Sequence, residues 1–363
     1  MEISKYFNLL ASFLVGITFF CSGAIKLNDP LGFAHTIEGY LHLMASQLTA
    51  YIRLLLPYTL VLAMCMATLE VVLGVALLVY WKRFWVLWAL LLLTLFFTYL
   101  TLYTATSKRI ASCGCFGDAL ALTPWQSFAK SVVLLLLLGG LYWQEKGTPT
   151  SLNGYYWVVA SLLWSVGLGR HTLRHLPLWD FLPYKVGNDL SRLAQPHVPL
   201  RYVYIVEQEG QIMETEHYPQ EPGYKFVPVR LLNPEDRPPS THLSIWKGVE
   251  DSTQALLTGH KLLIITQHPT FITSPTLQKL YALIQQFPGA LQPVLIAPSG
   301  QGQEVADALA LPLYTANPLL LQTMLRAPLG LLLLEEGVVA NKWHFNDFIQ
   351  AQKTLRRLGW LQK

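Results

Sequence analysis

The sequence predicts an α-helical membrane bundle followed by a soluble α/β domain, and three features carry that prediction. Of the 363 residues, 52% are hydrophobic and only 13% charged, which is too apolar for an ordinary soluble protein. The apolar residues are concentrated before Arg170, in runs that match the roughly 20 residues a helix needs to cross ~30 Å of hydrocarbon. Beyond Arg170 the chain turns polar and proline-rich, then alternates short apolar strands with helical stretches.

Five spans are expected: Tyr6 to Ile25, Leu54 to Trp81, Phe84 to Ser107, Pro124 to Trp143, and Leu152 to Gly169. The first reads as a retained helix and not a cleaved signal, because bulky Phe19 and Phe20 precede Cys21 where processing requires small residues. Only Lys82 and Arg83 separate the second span from the third, which demands a tight antiparallel hairpin with cations at the membrane face. The fourth starts with Thr123 as N-cap, Pro124 at the first helical position and Gln126 three residues after the cap, the pattern of a capping box.

Up to Arg170 there are 10 Lys and Arg against 6 Asp and Glu, and 16 against 16 afterwards, so the net charge of +4 lies on the membrane half. The neutral soluble half offers no basic stripe, and nucleic acid is set aside as a partner. The chain divides into a membrane domain over 1–145, a fifth transmembrane helix within 146–175, a proline-rich β-containing connector over 176–258 and a final α/β domain over 259–363. In the connector, Tyr202 to Glu207 and Gln211 to Glu216 alternate around Glu209-Gly210 as a hairpin does.

The final domain reads as strand Lys261 to Thr266, helix Pro275 to Phe287, strand Gln292 to Ala297, helix Gln301 to Ala310, a helical piece Pro318 to Arg326, hairpin Gly330 to Trp343 turning at Glu336-Gly337, and helix Asp347 to Leu358. This order resembles a thioredoxin-like fold in layout, with Pro328 in the place of that fold's active-site cis-proline, where a partner would bind. Enzymes of that fold carry Cys-x-x-Cys at the start of the first helix, whose N-terminus lowers the thiol pKa. Here the region reads Gln267-His268-Pro269-Thr270-Phe271-Ile272-Thr273, and no cysteine follows Cys115. The domain by itself has no thiol chemistry.

All four cysteines lie in the membrane half, and two of them form Cys113-Gly114-Cys115-Phe116-Gly117-Asp118. A bridge across a single glycine needs a sharp backbone turn, which glycine permits, and the strained ring exchanges readily. The alternatives to a redox pair are a loop staple, unreacted thiols, or half of a metal site; the last fits poorly, since zinc motifs favour wider spacing and a second pair. Cys21 and Cys65 are expected to be buried packing residues. Lys26 and Glu70 stand out as ionisable groups within or at the end of apolar spans, where they are expensive and tend to be functional or mutually paired. As a functional site they would handle a proton or hold a quinone-like head group; as a structural one they would form an ion pair or a snorkelling lysine.

Phe20-Cys21-Ser22-Gly23 through Lys26, Asp29-Pro30, Gly32-Phe33, Glu70 ahead of Gly74, and the Cys113 to Asp118 loop together resemble the DoxX and MauE family of small bacterial membrane proteins, over about the first 145 residues. The stretch Leu321 to Asp347, with Arg326, Pro328, Gly330, Gly337, Lys342-Trp343 and Asn346-Asp347, resembles longer members of the kind found in Bacteroidetes. The resemblance implies a four-helix core similar in plan to membrane thiol oxidoreductases, with Cys113 and Cys115 as the redox pair and Lys26 and Glu70 as the family's polar positions. It also implies a quinone as a possible electron carrier, with no tightly bound cofactor and no metal.

The expected function is therefore a thiol:disulfide component of the bacterial inner membrane, with a periplasmic thiol or disulfide protein as partner. The competing expectation is a non-enzymatic assembly or scaffold protein whose C-terminal domain binds a client. With five spans, the loop between the third and fourth shares a side with the C-terminal domain. Disulfide chemistry puts both in the periplasm, although Lys26, Arg53, Lys108, Arg109 and Arg170 would then lie outside, against the usual distribution of cations.

Overall fold

The computed structural model describes residues 2–47, 50–107, 117, 119–120, 122–145, 151, 153–191, 202–208, 211–215, 225–231, 243–248, 250–287 and 289–361. The chain forms two compact units, Met1–Phe181 and Leu182–Lys363.

The first unit is helical: α1 (Glu2–Asn28), α2 (Pro30–Gln47), a 3₁₀ segment (Ala50–Tyr58), α3 (Thr59–Leu78), α4 (Arg83–Ser107), α5 (Pro124–Trp143) and α6 (Gly154–Arg174). Four stretches are long and apolar enough to cross a membrane: Tyr6–Asn28, Tyr51–Leu78, Arg83–Thr106 and Pro124–Trp143. The expected fifth span forms as helix α6 but is not among them. Its inward face carries buried Ser161, Ser165 and Thr172, and its last turn holds His171 and Arg174, which dilute its apolar character. Its 21 residues nonetheless extend about 31 Å, and they run the length of the bundle. Gly154 meets Trp81 at one end, and the Thr172 hydroxyl donates to the Leu27 carbonyl at the other, 2.8 Å away.

Helices α1 and α3 lie almost in backbone contact because glycine removes the side chain where they cross. A Cβ on Gly23 would stand 2.5 Å from the Ala67 carbonyl oxygen, and one on Gly74 2.7 Å from that of Gly16. The apolar interior is continuous from Ala11, Val15 and Phe19 through Leu73 and Leu77 to Leu87, Leu90 and Leu138. Outward-facing aromatics collect at the two ends of the bundle: Tyr6, Trp85, Trp143 and Tyr155 to Trp157 at one, and Tyr51, Tyr58, Trp125 and Trp179 at the other. Such girdles mark the two membrane–water interfaces.

The local signals around the spans behave as expected at α5. Thr123 Oγ1 accepts from Gln126 N at 3.3 Å while Gln126 Oε1 accepts from Thr123 N at 3.0 Å. The α3–α4 connection is tight, with Tyr80 and Lys82 at φ 56° and 42°. Arg83, however, is buried and not a cation at the membrane face, for a reason given below. Helix α2 has no apolar run to announce it; Asp29 caps it by accepting from Gly32 N at 2.9 Å, and Pro30 occupies its first position.

The second unit contains two sheets. Strands β1 (Tyr202–Gln208), β2 (Gln211–Thr215) and β3 (Lys225–Leu231) make an antiparallel sheet in the order β2-β1-β3, which includes the expected hairpin. The larger sheet is mixed and seven-stranded, in the order β10-β9-β6-β7-β8-β4-β5. Its strands are β4 (Ile245–Lys247), β5 (Glu250–Asp251), β6 (His260–Thr266), β7 (Leu291–Pro298), β8 (Leu313–Ala316), β9 (Leu329–Glu335) and β10 (Val338–His344). The helices between them are α7 (Thr253–Leu257), α8 (Ser274–Ile284), α9 (Gln303–Leu309), α10 (Pro318–Met324) and α11 (Phe348–Arg357). Strands β6, β7 and β8 are parallel, and β9 and β10 form the expected hairpin, turning at Glu336 and Gly337, both at positive φ. The sheet is larger than the expected layout: β8, β4 and β5 extend it beyond the four strands the sequence pattern announces, giving a mixed sheet with covering helices. The core joins Leu262 and Ile264 of β6 and Leu331 and Leu333 of β9 to Leu280, Leu283, Ala351 and Leu355 of the covering helices.

Candidate functional site

The site of interest in the membrane unit forms where α1 ends. Lys26 lies in the last turn of α1, where the helix dipole favours a cation, and Glu70 sits midway along α3. The close crossing at Gly23 brings them together. Lys26 Nζ donates to Glu70 Oε1 at 2.5 Å, with the two side chains 2% and 1% exposed. The ammonium also lies 4.8 Å from the ring centroids of Phe33, on α2, and Phe97, on α4. Aromatic faces on both sides replace part of the hydration the charge has lost. Taking two charges out of water costs several kcal/mol per ion, which mutual attraction offsets only when geometry is good. Here the compensation is incomplete: Glu70 Oε2 is buried and has no hydrogen-bond partner among the described residues.

Beside Glu70 lies a partly open cavity lined by Thr18, Ser22, Lys26, Thr94, Lys130 and Ser131, with Phe19, Phe97 and Leu134 as its apolar walls. Its water-sized space is about 20 Å³. That admits a small molecule such as water and not a quinone ring.

Cys113 and Cys115, with Gly114, Phe116 and Asp118, lie outside the described residues. Gly117, two residues after Cys115, is described. It has φ 52°, and a Cβ placed on it would lie 3.6 Å from Ile25 Cγ2. Gly117 therefore lies beside α1, next to the residue that precedes Lys26. Of the other cysteines, Cys21 is half-buried and Cys65 exposed on the outer side of α3, both as free thiols. The expected burial of Cys65 is corrected by the helix phase, which turns Ala63, Ala67 and Glu70 inward and Cys65 away.

A second buried charge cluster was not visible in the sequence. Arg83, at the start of α4, has its Nε 2.9 Å from Glu145 Oε2, with side chains 5% and 3% exposed. One of its terminal nitrogens donates to Asn8 Oδ1 at 3.0 Å and to Ser12 Oγ at 3.2 Å, and Asn8 Nδ2 donates to Gln144 Oε1 at 2.7 Å. The network ties α1, α4 and the end of α5 together at the opposite end of the bundle from Lys26. Its residues sit at the edges of the apolar runs, where a charge reads as an interfacial residue.

In the second unit, Pro328 follows α10 at the mouth of β9. Its carbonyl accepts from Gln267 N at 2.9 Å, and the Gln267 side chain donates to Leu325 O at 2.9 Å. The loop after β6, where a thioredoxin would place its thiols, is thus closed onto the Pro328 segment by a glutamine. There is no cis peptide bond among the described residues, so the expected cis-proline geometry is not reproduced at Pro328. The titratable groups that shift in this unit are structural: burial pushes the Tyr184 phenol up and the Lys261 ammonium down, the latter partly opposed by Glu336. No group of three or more His, Cys, Asp or Glu suited to a metal ion occurs among the described residues.

Four apolar helices, aromatic girdles at both ends and a buried ion pair inside define a multi-pass α-helical membrane protein. Residues 4–144 match the model of the family described as Methylamine utilisation protein MauE, so the helical unit is similar to MauE-type membrane proteins. No curated protein and no solved structure matches the chain.

Proposed function

We propose that this protein is a membrane-embedded thiol–disulfide redox component acting on an extracytoplasmic protein partner, with Cys113 and Cys115 as its exchanging pair. The observation that supports the reading is the contact of Gly117 with Ile25. It sets Gly117 beside the end of α1 that holds Lys26, whose partner Glu70 lies within an apolar span. In the sequence Cys115 is two residues and Cys113 four residues before Gly117.

In the proposed reaction a partner dithiol attacks the Cys113–Cys115 disulfide, one partner sulfur forming a mixed disulfide before the second displaces it. The partner leaves oxidised and the pair reduced, having gained two electrons and two protons. A lipid-soluble quinone then takes up both electrons and both protons and regenerates the disulfide; it would meet the pair at the helix ends, since the cavity beside Glu70 is too small for a ring. The second unit, a mixed sheet with covering helices and without cysteines, would dock the partner, using the Pro328 segment. The loop between α4 and α5 and the second unit are assigned to the periplasm, where disulfides persist.

The test is differential alkylation of the purified full-length protein across a range of thiol–disulfide ratios, with Cys113→Ser and Cys115→Ser as controls. A pair that shifts between two alkylation states with ambient potential, and loses the transition in either variant, supports the proposal. Thiols free at every potential would leave the protein as a non-enzymatic scaffold. Reoxidation of the reduced pair by a menaquinone analogue checks the acceptor separately.

A further inference from the structure

The free oxygen of Glu70 needs a hydrogen-bond donor, and much of what surrounds it has none to give. Thr18, Thr94 and Ser131 spend their hydroxyl protons on the carbonyls of Leu14, Leu90 and Ser127, at 2.7, 2.6 and 3.0 Å. They line the cavity with lone pairs. Two ammonium groups, Lys26 and Lys130, stand on its walls and oppose a cation, while Glu70 Oε2 opposes an anion. The molecule that fits is neutral, small and carries two donors. A cavity needs about 10–15 Å³ of such space to hold one water, and this one offers about 20 Å³.

We propose that the cavity between α1, α3, α4 and α5 is a water-binding site within the membrane, in which a water molecule donates one hydrogen to Glu70 Oε2 and the other to a hydroxyl oxygen of Thr94 or Ser131. The Lys26–Glu70 pair is thereby a hydrated polar centre and not a dry lock. The inference is independent of the thiol reading and stands if Cys113 and Cys115 are inert.

Radiolytic hydroxyl labelling of the full-length protein in lipid nanodiscs tests it, because radicals formed from a bound water oxidise the side chains beside that water. Phe97 lines the cavity, while its neighbour Phe96 is 46% exposed on the outer face of the same helix at the same depth. Phe97 is expected to be oxidised several-fold faster than Phe96. Ser131→Leu, which fills the cavity, and Thr94→Val, which removes a hydroxyl at nearly constant volume, should each lower the Phe97 rate towards that of Phe96 while Trp343 in the second unit keeps its own. Equal rates at Phe96 and Phe97 in the unsubstituted protein would overturn the proposal whatever the variants do. So would a Phe97 rate unchanged in both folded variants.

Discussion

The two buried ion pairs of the membrane unit have the same chemistry and opposite surroundings. Arg83 and Glu145 sit at one end of the bundle, where Arg83 Nε faces Glu145 Oε2 as an ion pair without hydrogen-bond geometry and a polar network runs on from Arg83 to Asn8 and Ser12 and from Asn8 to Gln144. Lys26 and Glu70 sit towards the other end, between aromatic rings, with one carboxylate oxygen left over beside a cavity. Polar side chains that bond one another across helices hold a structure together; a carboxylate oxygen left among apolar and aromatic walls beside a cavity costs free energy and needs another reason to be there. The comparison separates a clasp from a candidate site without appeal to any motif.

The largest expected effect comes from Lys26→Met, which strands the Glu70 carboxylate in the bundle interior. Thermal unfolding in detergent should show a loss of about 3–5 kcal/mol. Adding Glu70→Leu should return most of it, because an apolar pair replaces the buried charges at little cost. If the double variant remained as unstable as the single one, the two residues would not act as a pair. Arg83→Met should cost less, about 1.5–3 kcal/mol, since Glu145 lies just beyond the last turn of α5 and can swing to the interface. A loss as large as that of Lys26→Met would erase the distinction between the two sites. Gln144→Ala, which removes one outer hydrogen bond of the clasp, should lower stability by about 0.5–1.5 kcal/mol, and should leave oxidation of Phe97 unchanged.

How much of this was legible in the sequence depends on whether the signal was local. Lys26 and Glu70 were visible because each interrupts or ends a long apolar run, so that placement alone makes them anomalous. Arg83 beside Lys82, and Glu145 just past Trp143, read as ordinary interfacial charges; their pairing joins residues distant in sequence and has no local trace. Helix α2 mixes Gly32, His35, Glu38, Gly39 and His42 with its apolar residues, and forms because Phe33, Ala34 and Tyr40 are buried against neighbouring helices. The capping box at Thr123 and the turn at Glu336-Gly337 were readable since both are set by a few adjacent residues. Strand β8, four residues long, is recruited by its parallel pairing with β7 and carries no pattern of its own.

The Asn28 side chain mimics a backbone unit towards Trp179: its amide nitrogen donates to Trp179 O at 2.7 Å, and its oxygen accepts from Trp179 N at 3.1 Å. Mechanically this is an anchor. The two bonds fasten the chain that follows α6 to the end of α1, two residues from Lys26, so a pull on Trp179 is delivered to the helix that carries half of the ion pair.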